Sequence, residues 1–228
     1  MEYGTRLLNE DGSASMSTIL MLSHHGLRRD CALFAIALEG PLTAPQRVSR
    51  LKDEWKSYHA TLHGHHAMED ARIFQSFASD HPELVPVIDG LADDHRRIAP
   101  LLVEGDRAFS DLPATQAGAR AIVKRLSDML GPHLATEEEK LVPLLREAKQ
   151  FPPVASEAEL DLFSQGFAWS CHGIAPEVLE QVNAMLPKGL RERLPAARAA
   201  YAHRCEQVWG SAKTGTSHTS VPDWCSTG

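Results

Sequence analysis

The sequence predicts an all-α protein: an up-down-up-down four-helix bundle followed by an extension of short helices. Three observations carry this reading. Apolar residues recur at the three- and four-residue spacing of an amphipathic helix. Gly and Pro pairs such as Gly40-Pro41 stand between long segments and punctuate them. No segment shows the period-2 alternation of a half-buried strand. At 228 residues the chain can bury a proper core, as one domain with extensions.

The elements follow in order. Residues 1–14 read as a mobile leader. Ser15 or Ser17 caps a first helix that runs to 39, where Gly40-Pro41 stops it. Thr43 and Pro45 open a second helix, to 79, with proline near the position where a helix tolerates it. Trp55, Leu62, Glu69, Ile73 and Phe77 share one face of this helix, His66 lies near that face, and His65 lies on its flank. Asp80-His81-Pro82 starts a third helix, to 109, in which Pro100 is expected to cause a kink. The fourth runs from 114 to 149, with a bend or restart expected at Gly131-Pro132. Phe151-Pro152-Pro153 marks a boundary, so 15–150 is the bundle and 151–209 the extension, with short helices at 156–169, 175–186 and 189–209. The last segment, 210–228, is rich in Ser, Thr and Gly and reads as a disordered tail.

Composition excludes several classes. The formal net charge is −7 and no basic cluster exceeds Arg28-Arg29 or Arg96-Arg97, which argues against nucleic acid as a partner. The apolar stretch 19–38 is broken by His24, His25, Arg28, Arg29 and Asp30, too polar for a membrane span. Glu2, Arg6, Glu10 and Asp11 sit where a signal peptide would be apolar. The 4 cysteines are scattered with no C-x-x-C, which argues against a thiolate zinc site and for a reduced, cytoplasmic setting. No G-x-S-x-G elbow or glycine-rich phosphate loop is present. The neighbours Cys171 and His172 point apart on any regular element and make an improbable dyad.

The chemistry lies in the histidines and carboxylates. His65 stands four residues before Glu69, and His133 four before Glu137. Residues four apart on a helix share a face, so each pair can grip a metal ion, and the second carboxylate oxygen can reach another. As a surface pair, either would only stabilise its helix by a few tenths of a kcal/mol. The repetition, with His24 and His95 on the other two helices, points instead to one shared site of His24, His65, Glu69, His95, His133 and Glu137 in the bundle core. Two carboxylates leave a charge near +2 on a pair of divalent ions, a burial that surrounding hydrogen bonds must support. The register stays open at three positions: His25 can replace His24, His66 can replace His65, and Glu138 can replace Glu137.

His24 with Arg28-Arg29-Asp30, His65-His66 with Glu69-Asp70, Asp94-His95, and His133 with Glu137-Glu138 and Pro143 together resemble the bacterial hemerythrin-like proteins, the HHE cation-binding family. The similarity spans residue 16 to about 149 and is specific as a set. It implies a four-helix bundle around a non-haem di-iron centre, with two irons bridged by carboxylates and by an oxo or hydroxo group. Donor chemistry alone also suits manganese or zinc. Oxygen carriers of this type have a further histidine four residues after the third-helix ligand, where this chain has Ala99. That departure implies an open side admitting O2, peroxide or NO, and weakens a pure carrier role. A di-iron oxidoreductase, a sensor or iron store without turnover, and a structural zinc bundle are the three readings. Trp169, Leu190, Tyr201 and Trp209 of the extension read as packing residues that cover the bundle, and the functional alternative for the extension is a lid or the surface of a homodimer.

Overall fold

The computed structural model describes residues 7–210. Among the described residues there are eight α-helices: α1 (Met16–Ala37), α2 (Pro45–Met68), α3 (Phe74–Asp80), α4 (Val85–Ser110), α5 (Gln116–Lys140), α6 (Glu157–Ser170), α7 (Pro176–Met185) and α8 (Lys188–Trp209). A π-helical turn, Glu69–Ile73, joins α2 to α3, and 3₁₀ turns cover Pro82–Leu84 and Val142–Leu145. There is no strand among the described residues. None of these helices is long and apolar enough to cross a membrane. The chain forms two compact units, one of Asp30–Thr136 and one of Met1–Arg29 with Glu137–Gly228.

In the unit Asp30–Thr136, α2 packs along α4. The buried stripe of α4 runs Ile88, Leu91, His95, Ile98, Leu102, Gly105 and Phe109. That of α2 runs Val48, Leu51, Trp55, Tyr58, Leu62, His65. Both alternate steps of three and four, which keeps one narrow face toward the core. An aromatic cluster fills the end away from the histidines: Trp55 stacks on Phe109 with centroids 4.4 Å apart, and Phe34 meets both edge-on at 5.6 and 5.3 Å. Gly105 lies directly under the Trp55 ring, where a Cβ has no room. Neither Pro100 nor Pro132 ends its helix. Both are exposed, so the amide each lacks opens a carbonyl to water and not to the core.

In the other unit, α6 packs against α8. Met21 and Leu22 of α1 share a core with Phe167, Val178, Val182 and Leu190. Ser156 caps α6 by accepting from the Glu159 amide, while the Glu159 carboxylate accepts from the Ala155 amide at 2.7 Å. The leader expected over 1–14 is packed from Leu7 onward. Leu7 is buried, its carbonyl accepts from the Thr18 hydroxyl at 2.6 Å, and the Asn9 amide donates to the Arg146 carbonyl at 3.0 Å. Residues 1–6, and the expected tail from 211 onward, lie outside the described residues. The fourth helix ends earlier than expected, at Lys140, because Pro143 stands in the next turn.

Candidate metal centre

Four donors converge within the unit Asp30–Thr136. His66 comes from the last turn of α2, Glu69 from the π turn, His95 from the middle of α4 and His133 from α5. All four are buried, and each offers a donor atom within 4.8 Å of every other. Nε2 of His95 lies 3.2 Å from Nε2 of His133 and 3.7 Å from Oε2 of Glu69. The His66 and His95 rings stack with centroids 3.9 Å apart. Oε1 of Glu69 faces the other way, 3.1 Å from Nε2 of His65. Glu69 thus presents its two oxygens to two different histidines.

The π turn shifts the buried face that follows the donors. The buried series steps by five from Glu69 to Phe74, where a regular helix would step by four. The expectation that Ile73 continues the core face is corrected accordingly: Ile73 is half-buried, and Phe74 takes its place with its ring stacked 5.5 Å from His95. The extra residue widens the backbone where the donors gather, and π turns of this kind recur at functional sites.

Two carboxylates approach the far nitrogens of these histidines. Oδ1 of Asp70 accepts from Nδ1 of His95 at 2.9 Å, and Oδ2 of Asp94 lies 3.8 Å from Nδ1 of His133. Asp70 places the His95 proton on Nδ1 and leaves its Nε2 to accept, so the 3.2 Å contact suits either an N–H···N hydrogen bond from His133 or two ligands on one ion. Two imidazoles on one ion at about 2.1 Å have nitrogens no more than about 4.2 Å apart. The His95 to His133 and His95 to Glu69 separations meet that limit, and every pair in the set lies within 4.8 Å. The donor set therefore fits a metal ion with a small inward shift.

In the unit of Met1–Arg29 and Glu137–Gly228, His24 and Glu137 are both fully buried, with Nε2 of His24 3.3 Å from Oε2 of Glu137. Nδ1 of His24 meets Oε1 of Glu138 at 3.0 Å. The Arg28 guanidinium forks onto both Glu138 oxygens, the longer contact being 3.2 Å. Burial disfavours the His24 charge, but its hydrogen bonds to Glu137 and Glu138 outweigh this and raise its pKa. Burial also acts to raise the Glu138 carboxyl, yet His24 and Arg28 hold it below its usual range.

All six residues of the sequence reading are buried. His66 lies with His95 and His133, while His65 approaches the opposite oxygen of Glu69. Nε2 of His25 meets the His172 carbonyl at 3.1 Å. Glu138 meets Nδ1 of His24, and Glu137 approaches its Nε2. Ala99 is exposed, off the α4 stripe that buries His95 and Ile98. A gap at that position opens to the surface, so the open side expected there does not lie in the donor cluster. Asp70 and Asp94 went unread as partners of the histidines, although the doubled carboxylates after each ligand pair were a signal for the first.

The fold and the donors define an all-helical protein with a buried histidine–carboxylate site suited to a metal cation. The family model of the hemerythrin HHE cation binding domain matches residues 15–145, and the chain belongs to that family. No curated protein and no solved structure matches it.

Proposed function

We propose that this chain holds two iron ions and binds or reacts with O2, peroxide or NO there. The observation that supports this best is the orientation of Glu69, whose oxygens face His65 at 3.1 Å and His95 at 3.7 Å. A carboxylate with histidines on both sides suits a bridge between two ions. In this reading His66, Glu69, His95 and His133 hold one ion. His24, His65 and Glu137 are assigned to the second on the family resemblance alone. Iron, when bound, supplies one-electron redox chemistry and coordination positions that a small ligand can take. The protein's part is to orient the imidazoles. Asp70 holds the His95 proton on Nδ1, and the Phe74 ring covers one face of that imidazole and keeps water from it.

Anaerobic loading with Fe(II), followed by air, tests the proposal by elemental analysis and absorption. About two irons per chain and a near-ultraviolet band are expected, and both are lost in His133→Ala. Protein that takes up only zinc and stays colourless sinks the redox reading and leaves the structural one. Oxygen release from added peroxide separates turnover from reversible binding, which would show as oxygen-dependent spectra without product.

A further inference from the structure

Each ligand pair ends in a doubled carboxylate, Glu69-Asp70 and Glu137-Glu138. The two doublets behave alike. The first member is buried and approaches the Nε2 atom of a histidine: Glu69 that of His65 at 3.1 Å, Glu137 that of His24 at 3.3 Å. The second member turns to Nδ1 of a histidine carried by another helix: Asp70 to His95 at 2.9 Å, Glu138 to His24 at 3.0 Å.

We propose that Asp70 and Glu138 are positioning residues, not ligands: each fixes the ring of a histidine, His95 and His24, through a proton on Nδ1, so that Nε2 is directed at the buried carboxylate of its own unit, Glu69 for His95 and Glu137 for His24. An ionised carboxylate only accepts, so the shared proton belongs to Nδ1. Nδ1 and Nε2 lie on opposite sides of the ring, so a carboxylate on one cannot reach an ion on the other. Neither carboxylate is enclosed with the donors it serves: Asp70 is 47% exposed, and Glu138 is held by the Arg28 guanidinium. A partner of this kind is worth about 10–100-fold in metal affinity.

The proposal rests on the metal-binding reading of the donors, and its test separates the two. Zinc alone is titrated against a competing chelator into the full chain carrying Asp70→Ala, Asp70→Asn, Glu138→Ala or Glu138→Gln. The alanine variants are expected to bind the same number of zinc ions about 10–100-fold more weakly. The amide variants keep the shape and an accepting oxygen, so they are expected to fold and to recover most of that loss. Loss of a whole zinc equivalent in Asp70→Ala or Glu138→Ala would make that residue a ligand and overturn the proposal, as would unchanged affinity. Long-range proton–nitrogen NMR on the metal-free chain reads the His95 ring without any ion. The Nδ1–H form is expected in the native chain and its preference is expected to vanish in Asp70→Ala; an Nε2–H ring, or one unmoved by the substitution, overturns the proposal for His95. A chain that binds no zinc but shows the expected ring state would remove the metal reading and leave the orientation standing.

Discussion

Nε2 of His95 and Nε2 of His133 face each other at 3.2 Å, each ring with a carboxylate beyond its opposite nitrogen. Buried imidazoles usually turn one nitrogen to a carbonyl or hydroxyl and the other to water or a second acceptor. Here the inner nitrogens converge on one another and on Glu69, which is 1% exposed. That arrangement favours a bound cation over a plain hydrogen-bonded core, because a cation satisfies every inward donor atom at once.

Metal binding should therefore be visible as stability. Ligand at 100 times its Kd adds about 2.7 kcal/mol to the native state. For a chain of this size each kcal/mol moves Tm by about 2–4 °C. Zinc or Fe(II) in that excess is expected to raise Tm by about 5–11 °C, with EDTA reversing the rise. His133→Ala should remove most of the shift. A native chain whose Tm ignores both metal and chelator would refute the site.

Gly105 should be intolerant of any side chain. An added Cβ would collide with the Trp55 ring, which is stacked on Phe109 and tied through Nε1 to Asp106 at 2.9 Å. Moving the ring breaks that stack and hydrogen bond, so Gly105→Ala is expected to destabilise by about 1–3 kcal/mol, as overpacked cores do. Urea unfolding reads this as a lower midpoint at unchanged slope. Gly118, with nothing near its Cβ position, is the control, and Gly118→Ala should be neutral or slightly stabilising.

The long helices were legible because their ends are chemically marked. Pro45 opens α2 and Ser156 caps α6 with Glu159. The candidate donors were legible for a related reason, since a four-residue step on a helix fixes a shared face. What sequence could not show is the π turn. Its single extra residue leaves the composition unchanged but replaces Ile73 by Phe74 beside His95. Adjacent residues such as Glu137 and Glu138 differ by about 100° on a helix, and which of them is a ligand depends on the partner they meet. The partners of Glu138, Arg28 and His24, stand 110 and 114 residues away in the chain, beyond the reach of any local pattern. The close approach of Gly26 to Trp169, where a Cβ would lie 2.6 Å from the ring, is likewise a tertiary fact with no local signature.

Arg29 should be the main polar fastening of its unit. Its guanidinium donates to the carbonyls of Trp169 at 2.8 Å and His172 at 3.1 Å and to the Tyr201 hydroxyl at 2.9 Å. The Trp169 and Tyr201 rings flank it at 5.8 and 5.6 Å. The two carbonyls close the end of α6, where a cation is also favoured by the helix dipole. Tyr201→Phe is expected to cost about 1.5–3 kcal/mol, the range for a hydrogen bond to a charged group. Arg29→Met should cost more, because several buried acceptors lose their donor together. Limited proteolysis should then cut within 151–209 well before the rest of the chain. Equal cutting of variant and native chains would show that the fastening lies elsewhere.

Alkaline pH should expose the burial of Cys31. Desolvation pushes its thiol pKa up to about 12 despite hydrogen bonds that favour the thiolate. An unfolded cysteine ionises near 8.5. Between those two values the native state keeps a proton that the unfolded state has lost, so stability falls as pH rises through this window. One such group contributes a slope of about 1.4 kcal/mol per pH unit. Cys171, also raised by burial, adds in the same direction. Lysines and tyrosines titrate nearby, so the comparison that isolates Cys31 is the difference in slope between the native chain and Cys31→Ala across pH 9–11, measured by urea unfolding. The variant is expected to be less stable at pH 7, from lost packing, and to lose stability less steeply above pH 9. Parallel slopes would mean that the thiol ionises as readily in the folded chain as in the unfolded one.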